Sequence, residues 1–286
     1  MDWAHDHATW PLTQHSRFVL CKPHKWHVQD LGTGPLLLLI HGAGGATHSW
    51  QHLIPYLVKA HRVIAIDLPG QGFSQLGAQR RCGLDAMAED LTALCQAEDL
   101  HPKAIIGHSA GAAIALRMSE LRPVEHVIGI NAALGNFDGV AGVLFPVLAK
   151  TIAALPMTAS FFSATASQGN AVARIIKGTG STLPAADIAL YRRLIASRDH
   201  VHSTLQMMAQ WQLDPLLARL AQITTPTTLI ASAMDKAVPS ATSRKAACNL
   251  PNANVVMCPK LGHLAHEEDA QAISTHVLDA LSIMGA

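Results

Sequence analysis

One pentapeptide constrains this chain more than any other feature of its sequence. The pentapeptide Gly107-His108-Ser109-Ala110-Gly111 lies between an apolar run at 104–106 and a stretch of small residues at 112–116. This order predicts a buried strand, a sharp turn and then a helix. A serine at the apex of such a turn has a strained backbone, and the strand and the helix approach so closely that bulky neighbours cannot fit. Glycines flank Ser109 at the required spacing, so Ser109 is a candidate nucleophile.

Composition places the chain among well-buried globular proteins and excludes several function classes. Of its 286 residues, 49% are hydrophobic and 14% are charged, which argues against disorder. The formal net charge of +1 provides no electrostatic footprint for nucleic acid, so no nucleic-acid partner is expected. The five cysteines are scattered and lack C-x-x-C spacing, which indicates neither a disulfide framework nor a zinc site. Because the sequence starts without a secretory signal pattern, we expect a cytoplasmic protein.

Apolar runs and helical patterns alternate along much of the chain. The predicted strands are 17–21, 26–30, 36–40, 62–66, 104–106, 126–130, 227–231 and 254–257, and the predicted helices are 49–59, 84–98, one directly after Ser109, and 269–283. Continuous apolar runs are typical of strands buried on both faces of a parallel sheet. We therefore predict an α/β fold with a mostly parallel, doubly wound sheet and an antiparallel edge formed by the first two strands. Ligands of such sheets bind at the carboxyl ends of the strands.

The alternation stops after the sixth predicted strand. Residues 134–213 contain helical patterns and helix breakers but no convincing strand. We predict a core domain formed by residues 1–133 and 214–286, and a helical cap, or lid, of residues 134–213 over the strand ends.

Within the predicted cap, residues 140–162 are nearly all apolar, with Lys150 as the only charge. Pro146 and Pro156 argue against a single membrane-spanning helix and favour broken apolar helices. Two interpretations stay open: a buried pair of cap helices, or an apolar surface that contacts a membrane at its periphery.

A glycine-rich loop, His41-Gly42-Ala43-Gly44-Gly45, follows the strand predicted at 36–40. Neither of the common phosphate-binding patterns, G-x-x-x-x-G-K-[ST] and G-x-G-x-x-G, occurs there. We therefore predict that the loop donates a backbone N–H to a developing oxyanion, with Ala43 and Ala110 as the two donors. His41, Gly42 and His108 border this site and are candidate residues of the substrate pocket, and packing is the simpler alternative for His108.

A serine hydroxyl needs a base to become nucleophilic, and the base needs a third group to orient it. His263, on the loop between the last predicted strand and the last helix, is the predicted base. Asp235, four residues beyond the strand at 227–231, is the predicted orienting acid, and the order serine, aspartate, histidine suits this architecture. His266 is a competing histidine whose position favours the start of a helix, and Asp214 is a competing acid for which an N-cap role is simpler.

These motifs together resemble the α/β-hydrolase fold with a helical cap. Residues 67–74 also match a loop common to that fold, whereas a serine in place of an aspartate nucleophile argues against the haloalkane dehalogenase and epoxide hydrolase branches. A closer similarity is to the magnesium-chelatase accessory hydrolases of bacteriochlorophyll biosynthesis. The matching stretches are 42–50, 107–118, 131–134, 178–181, 207–211 and 262–268. The resemblance implies a role beside magnesium insertion into protoporphyrin IX, with magnesium-chelatase subunits as partners.

The predicted cap also carries a methionine-rich stripe. Met207, Met208 and Trp211 fall with Thr204 on one helical face, which suits a small apolar or porphyrin-like ligand because methionine adapts to flat rings. The alternative is an ordinary cap core.

Two functions from different classes follow from these features. The first is a serine hydrolase that cleaves an ester or a similar acyl bond, and this chemistry requires no metal and no organic cofactor. The second is a protein that carries a porphyrin or Mg-porphyrin, or assists the chelatase, on a hydrolase scaffold without using the triad, because metal insertion involves no acyl transfer.

Overall fold

The structure, a computed structural model, describes residues 1–135 and 170–282, which are organised around one eight-stranded sheet. The strands are β1 (Ser16–Cys21), β2 (His24–Leu31), β3 (Leu36–Ile40), β4 (Arg62–Ile66), β5 (Ala104–His108), β6 (His126–Ile130), β7 (Thr227–Ser232) and β8 (Ala253–Cys258). Their order across the sheet is β1-β2-β4-β3-β5-β6-β7-β8. β2 is antiparallel to both of its neighbours, β1 and β4. The six strands β4, β3, β5, β6, β7 and β8 are parallel to one another. The mostly parallel sheet with an antiparallel edge is thus confirmed.

Helices pack on both faces of this sheet, and others form the insertion after β6. The helices of the described residues are α1 (Trp3–Asp6), α2 (Ile54–Leu57), α3 (Leu84–Ala97), α4 (Ala110–Leu121), α5 (Ala171–Gly178), α6 (Ala185–Ala196), α7 (Arg198–Gln210), α8 (Asp214–Leu217), α9 (Ser240–Asn249), α10 (Ala265–Glu268) and α11 (Ala270–Ser282). In β3, Leu38 and Ile40 pack into the core shared with α3 and α4, whereas Leu37 and Leu39 pack into the core shared with α2 and α11. Because successive side chains of a strand point to opposite faces, a strand covered on both faces must be apolar at every position.

The helix predicted at 49–59 is wrong. A 3-10 turn occupies Thr47–Trp50, and α2 extends only over Ile54–Leu57. Pro55 explains the difference, because it lacks an N–H and its ring clashes with the carbonyl four residues earlier in a helix interior. A proline is tolerated only in the first turn, which is where α2 places it.

The insertion after β6 is helical where the structure describes it. Between residues 170 and 213 the chain forms α5, α6 and α7 and contributes no strand to the sheet. The apolar stretch 140–162 lies outside the described residues. Within those that are described, no helix combines the length and apolarity needed to cross a bilayer.

The turn between β5 and α4 has the strained geometry predicted for it. Ser109 has φ 52° and ψ −117°, a conformation that is costly for a residue with a side chain. A Cβ atom on Gly111 would overlap the carbonyl oxygen of Ile40, and one on Gly107 would overlap the backbone of Gly111 and Ala112. The two glycines therefore allow α4 to start directly against the ends of β3 and β5.

We expect Gly111→Ala to destabilise the protein by about 3 kcal/mol, because the added methyl group meets rigid backbone. Gly178→Ala is the matched control, since a Cβ there meets no atom of the described residues within 4 Å. At this helix end, alanine should leave the stability unchanged or raise it by at most about 1 kcal/mol. Urea unfolding followed by circular dichroism measures both, and equal midpoints for the two variants would contradict the close approach.

Candidate active site

Ser109 lies at the carboxyl edge of the sheet, where its backbone is held by three hydrogen bonds. Its N–H donates to the carbonyl of Ile130 at 3.0 Å, and its own carbonyl accepts from the N–H groups of Ala112 and Ala133 at 3.1 Å each. The residue is half-buried. The strained turn is thus fixed by neighbouring β6 and by the first turn of α4, while the side chain remains accessible.

Asp235 and His263 form a hydrogen-bonded pair, with Nδ1 of the imidazole 2.8 Å from carboxylate Oδ2. The second carboxylate oxygen, Oδ1, accepts from the backbone N–H groups of Ala237 and Val238, both at 2.8 Å. Because a carboxylate only accepts, the proton of the neutral imidazole lies on Nδ1, and Nε2 is left to act as a base. Asp214 belongs instead to α8, where its side chain is exposed.

Two residues hold the loop that carries His263. Asn131, with φ 47°, donates from Nδ2 to the carbonyls of Gly262 and His263 at 2.9 Å each, and its Oδ1 accepts from the N–H of Ser232. His108 donates from Nε2 to the same carbonyl of His263 at 2.9 Å, with the two rings 4.7 Å apart. The residue next to Ser109 therefore contacts the base directly. No hydrogen bond joins Ser109 Oγ to His263 among the described side chains, and such bonds commonly tighten only with a bound substrate.

The glycine-rich loop lies against Ser109. A Cβ atom on Gly42 would be 3.1 Å from the Cβ of Ser109 and 2.9 Å from Nδ1 of His108, so only glycine leaves this approach open. The loop turns at Gly44, which has φ 76° and donates its N–H to Oε1 of Gln71 at 2.8 Å. Ala43 is exposed at the turn.

The two predicted oxyanion donors differ in their setting. The N–H of Ala110 belongs to the first turn of α4, and amides in a first helical turn have no partner within their helix. The N–H of Ala43 donates to no other backbone group within residues 1–135 and 170–282. Both amides are therefore available to a ligand, and their role in an oxyanion hole stays a prediction.

His41 does not line a pocket as we predicted. It has no exposed surface, donates from Nδ1 to the carbonyl of Gly42 at 2.7 Å, and accepts at Nε2 from the N–H of Leu68 at 3.0 Å. Burial lowers the pKa of this imidazole, which keeps it neutral. Both partners of the ring are backbone groups of neighbouring loops, so His41 stabilises the conformation of the glycine-rich loop.

The methionine stripe of the cap divides between core and surface. Met207 is 1% exposed and packs into the core shared with α3 and α4, which favours the ordinary-core alternative for this residue. Met208 and Trp211 are half-buried, and Trp211 packs against that core. Thr204 lies beside the glycine-rich loop, with its Cγ2 atom 3.5 Å from where a Cβ of Gly44 would be.

Sequence reasoning missed His200, a cap residue that joins three segments of the site. Its Nε2 donates to the carbonyl of Gly44 at 3.2 Å, and its Nδ1 accepts from the N–H of Gly72 at 3.0 Å. Burial lowers its pKa to about 3, consistent with a neutral ring that donates and accepts at once. No local pattern around His200 marks it, because its partners are more than 120 positions away in the chain.

Buried polar side chains also lie behind the acid–base pair. The ring of His266, in α10, lies tilted against two others, with centroids 4.6 Å from Trp50 and 4.5 Å from His108, and burial lowers the pKa of His266 to about 3. Its neighbour Glu267 accepts from the hydroxyl of Tyr191, on cap helix α6, at 2.6 Å. Burial, together with nearby acidic groups, raises the pKa of Glu267 to about 8. At pH 7, His266 is therefore a neutral imidazole and Glu267 a neutral carboxylic acid.

Among the described residues, no three histidine, cysteine, aspartate or glutamate side chains are grouped so as to hold a metal ion.

Comparison with known proteins places this geometry in a wider group. A family model for the alpha/beta hydrolase fold matches residues 35–270. The chain is similar to the magnesium-chelatase 30 kDa subunit of Rhodobacter capsulatus, with 45% identity over 276 residues that cover 96% of this chain and 97% of the relative.

More distant similarities extend over most of the chain. A 2-hydroxy-6-oxononadienedioate/2-hydroxy-6-oxononatrienedioate hydrolase of Cupriavidus pinatubonensis is 25% identical over 282 residues, covering 93% of this chain and 95% of the relative. Among solved structures, an alpha/beta hydrolase fold protein from Burkholderia ambifaria matches with a TM-score of 0.77 at 23% identity, covering 92% of this chain and 97% of that one. The structural likeness concerns the fold alone.

Glu267→Gln tests whether the buried carboxyl is neutral, because glutamine keeps an acceptor for Tyr191 and cannot ionise. Between the ordinary pKa of 4.5 and the folded value of about 8, unfolded protein releases a proton that folded protein retains. Wild-type stability should therefore fall across this window, by up to about 1.4 kcal/mol per pH unit. We expect the unfolding free energy of the variant, relative to wild type, to rise from pH 5 to pH 8 in urea titrations. Glu125→Gln, on an exposed side chain, is the control, and a parallel result for both variants would refute the prediction.

Proposed function

Because the chain belongs to the α/β-hydrolase-fold family, together with the magnesium-chelatase 30 kDa subunit of Rhodobacter capsulatus, we propose that it is a serine hydrolase that acts on an ester or similar acyl bond as an accessory to magnesium chelatase. One observation carries the catalytic part of this proposal. Asp235 and His263 form a 2.8 Å pair on loops that end at the same sheet edge as the strained turn of Ser109.

The proposed reaction begins when Oγ of Ser109 attacks the acyl carbon while Nε2 of His263 takes its proton. Asp235 stabilises the imidazolium through its hydrogen bond to Nδ1, while its Oδ1 is held by two backbone amides. The N–H groups of Ala43 and Ala110 donate hydrogen bonds to the negatively charged oxygen of the tetrahedral intermediate. Each such donor stabilises the transition state by about 2.7 to 4 kcal/mol. The bond between the acyl carbon and the leaving group then breaks as His263 protonates the leaving group, which leaves the acyl group bound to Oγ of Ser109. His263 next takes a proton from a water that attacks the acyl carbon, and it returns that proton to Oγ as the carboxylic acid product departs.

The proposed domains are a core of residues 1–133 and 214–286 and a cap of residues 134–213. In this arrangement the ligand enters between the cap and the strand ends, where half-buried Met208 and Trp211 offer apolar contact. The proposed ligand is small and apolar or porphyrin-like, and the proposed protein partners are magnesium-chelatase subunits. Contact of residues 140–162 with a membrane surface stays a prediction.

A second candidate function is a carrier of porphyrin or Mg-porphyrin that does not use the triad. The observation in its favour is the 45% identity to a protein named as a chelatase subunit, because metal insertion breaks no acyl bond. This candidate shares the fold, the cap and the apolar contacts of the first. The two differ only in whether the hydroxyl of Ser109 is needed.

Ser109→Ala should reduce kcat/KM for p-nitrophenyl acetate by at least about a thousandfold and abolish labelling by a fluorophosphonate probe. The variant removes only the nucleophilic oxygen, so its unfolding curve should match that of wild type. Ser282→Ala, at the exposed end of α11, is the matched control and should retain both activities. Wild-type protein that neither hydrolyses the ester nor reacts with the probe would exclude the hydrolase.

Genetic complementation separates the two candidates. A strain that lacks the gene should regain pigment with the wild-type gene, and under the hydrolase proposal it should accumulate pigment precursors with Ser109→Ala. Full rescue by Ser109→Ala, at matched protein levels, would favour carriage over catalysis. Asp235→Asn provides an independent arm, because it keeps the shape of the acid and disrupts its hold on the imidazole tautomer.

A further inference from the structure

A short cap segment lies between the loop of Asp235 and the loop of His263. It comprises residues 179–182, which follow α5 and precede α6, and we call it the clamp. Neither of the two loops is long, and each joins a strand of the sheet to the helix that follows it. The clamp touches residues on both sides of the acid and on both sides of the base.

Contact with the acid loop is made by backbone. The N–H of Lys236 donates to the carbonyl of Thr179 at 3.0 Å. Gly180 has φ 90°, and a Cβ atom there would overlap the carbonyl oxygen of Met234. Met234 and Lys236 are the two neighbours of Asp235, so the clamp binds the acid loop directly before and directly after the carboxylate.

Contact with the base loop is made by backbone and side chain. The hydroxyl of Ser181, which is 1% exposed, accepts the N–H of Leu264 at 2.8 Å. A Cβ atom on Gly262 would overlap the carbonyl of Gly180. Gly262 and Leu264 are the two neighbours of His263, so the same segment also holds the base on both sides.

Glu268 ties the clamp to the base loop a second time. Its Oε1 accepts the N–H of Gly262 at 2.9 Å, and its Oε2 accepts the N–H of Thr182 at 3.4 Å. The acid and base loops are also joined directly, because the N–H of Met234 donates to the carbonyl of Leu261 at 3.1 Å. The clamp, the Asp235 loop and the His263 loop are therefore each bonded to the other two.

We propose that the clamp positions the orienting carboxylate of Asp235 and the base His263, so that the cap sets the geometry of this pair. This inference rests on the proposed hydrolase function, since it assigns Gly180 and Ser181 as positioning residues for that reaction. The physical reason is that the pair spans two separate loops, and misplacement of a catalytic group by 1 Å can lower the rate about a hundredfold. Cap and core are thus coupled at the acid–base pair itself.

Three variants of the protein test this proposal. Gly180→Ala forces a methyl group against the acid loop. Ser181→Ala removes the acceptor of the Leu264 N–H without adding atoms. Gly178→Ala is the control, because the added Cβ meets no described atom within 4 Å. With p-nitrophenyl acetate we expect Gly180→Ala to lower kcat about a hundredfold, with KM changed by no more than about twofold. Ser181→Ala should lower kcat about two- to tenfold, and Gly178→Ala should match wild type.

A spectroscopic readout makes the test independent of turnover. The proton on Nδ1 of His263 lies in the 2.8 Å hydrogen bond to Asp235, and we expect it to give a downfield resonance in proton NMR spectra. This resonance should shift or disappear in Gly180→Ala and Ser181→Ala and stay unchanged in Gly178→Ala. If wild type hydrolyses no ester, the proposed function fails, and the resonance still decides whether the clamp positions the pair.

Thermal unfolding distinguishes loss of positioning from loss of fold. Should Gly180→Ala be unfolded at the assay temperature, Ser181→Ala decides the question, because it removes one acceptor only. Wild-type kcat and an unchanged Nδ1 resonance in every folded clamp variant would overturn the proposal. A drop in kcat with an unchanged resonance would also overturn it, since the effect would then not act through the acid–base pair.

Discussion

The close approach of α4 to β3 and β5 is the constraint on which the rest of the site depends. Gly107 and Gly111 let the helix start directly against the strand ends. The tight turn that results holds Ser109 in a strained backbone conformation with φ 52°. The strain is balanced by hydrogen bonds that Ser109 makes to β6 and α4. As a result, one hydroxyl lies at the carboxyl edge of the sheet, within reach of the loops that follow the neighbouring strands.

Burial of polar groups around that edge gives the site its electrostatic character. Burial lowers the pKa of His41, His200 and His266 and keeps these rings neutral. His41 and His200 each donate one hydrogen bond and accept another, which fixes their orientation. The carboxylate of Asp235 accepts two backbone amides in addition to the imidazole. In a dry environment such a charge interacts strongly with its partners, which is why the placement of both loops matters.

Much of the fold and part of the site could be predicted from sequence. The bounds of β3, β4 and β6 match the prediction residue for residue, because β3 is a continuous apolar run and β4 and β6 are such runs after one polar residue. The resemblance to the hydrolase family is confirmed by the family model and by the 45% identical relative. The prediction of a helix at 49–59 is wrong because Pro55 confines that helix to Ile54–Leu57. The prediction of a pocket role for His41 is wrong because the ring is buried, and burial of a loop residue has no signature in the local sequence. The roles of Ser109, Asp235 and His263 stay predictions that the geometry supports.

Local sequence determined the strands, the glycine-flanked turn and the chain order of the three candidate catalytic residues, because these follow from side-chain size, periodicity and backbone freedom over a few positions. Only the tertiary structure decided what holds the acid and the base together. Asn131 is separated in sequence by 131 and 132 residues from its two partners on the His263 loop, and Ser181 is separated by 83 residues from Leu264. Such contacts depend on how distant segments are brought together by the sheet and the cap, and no pattern within either segment specifies its partner.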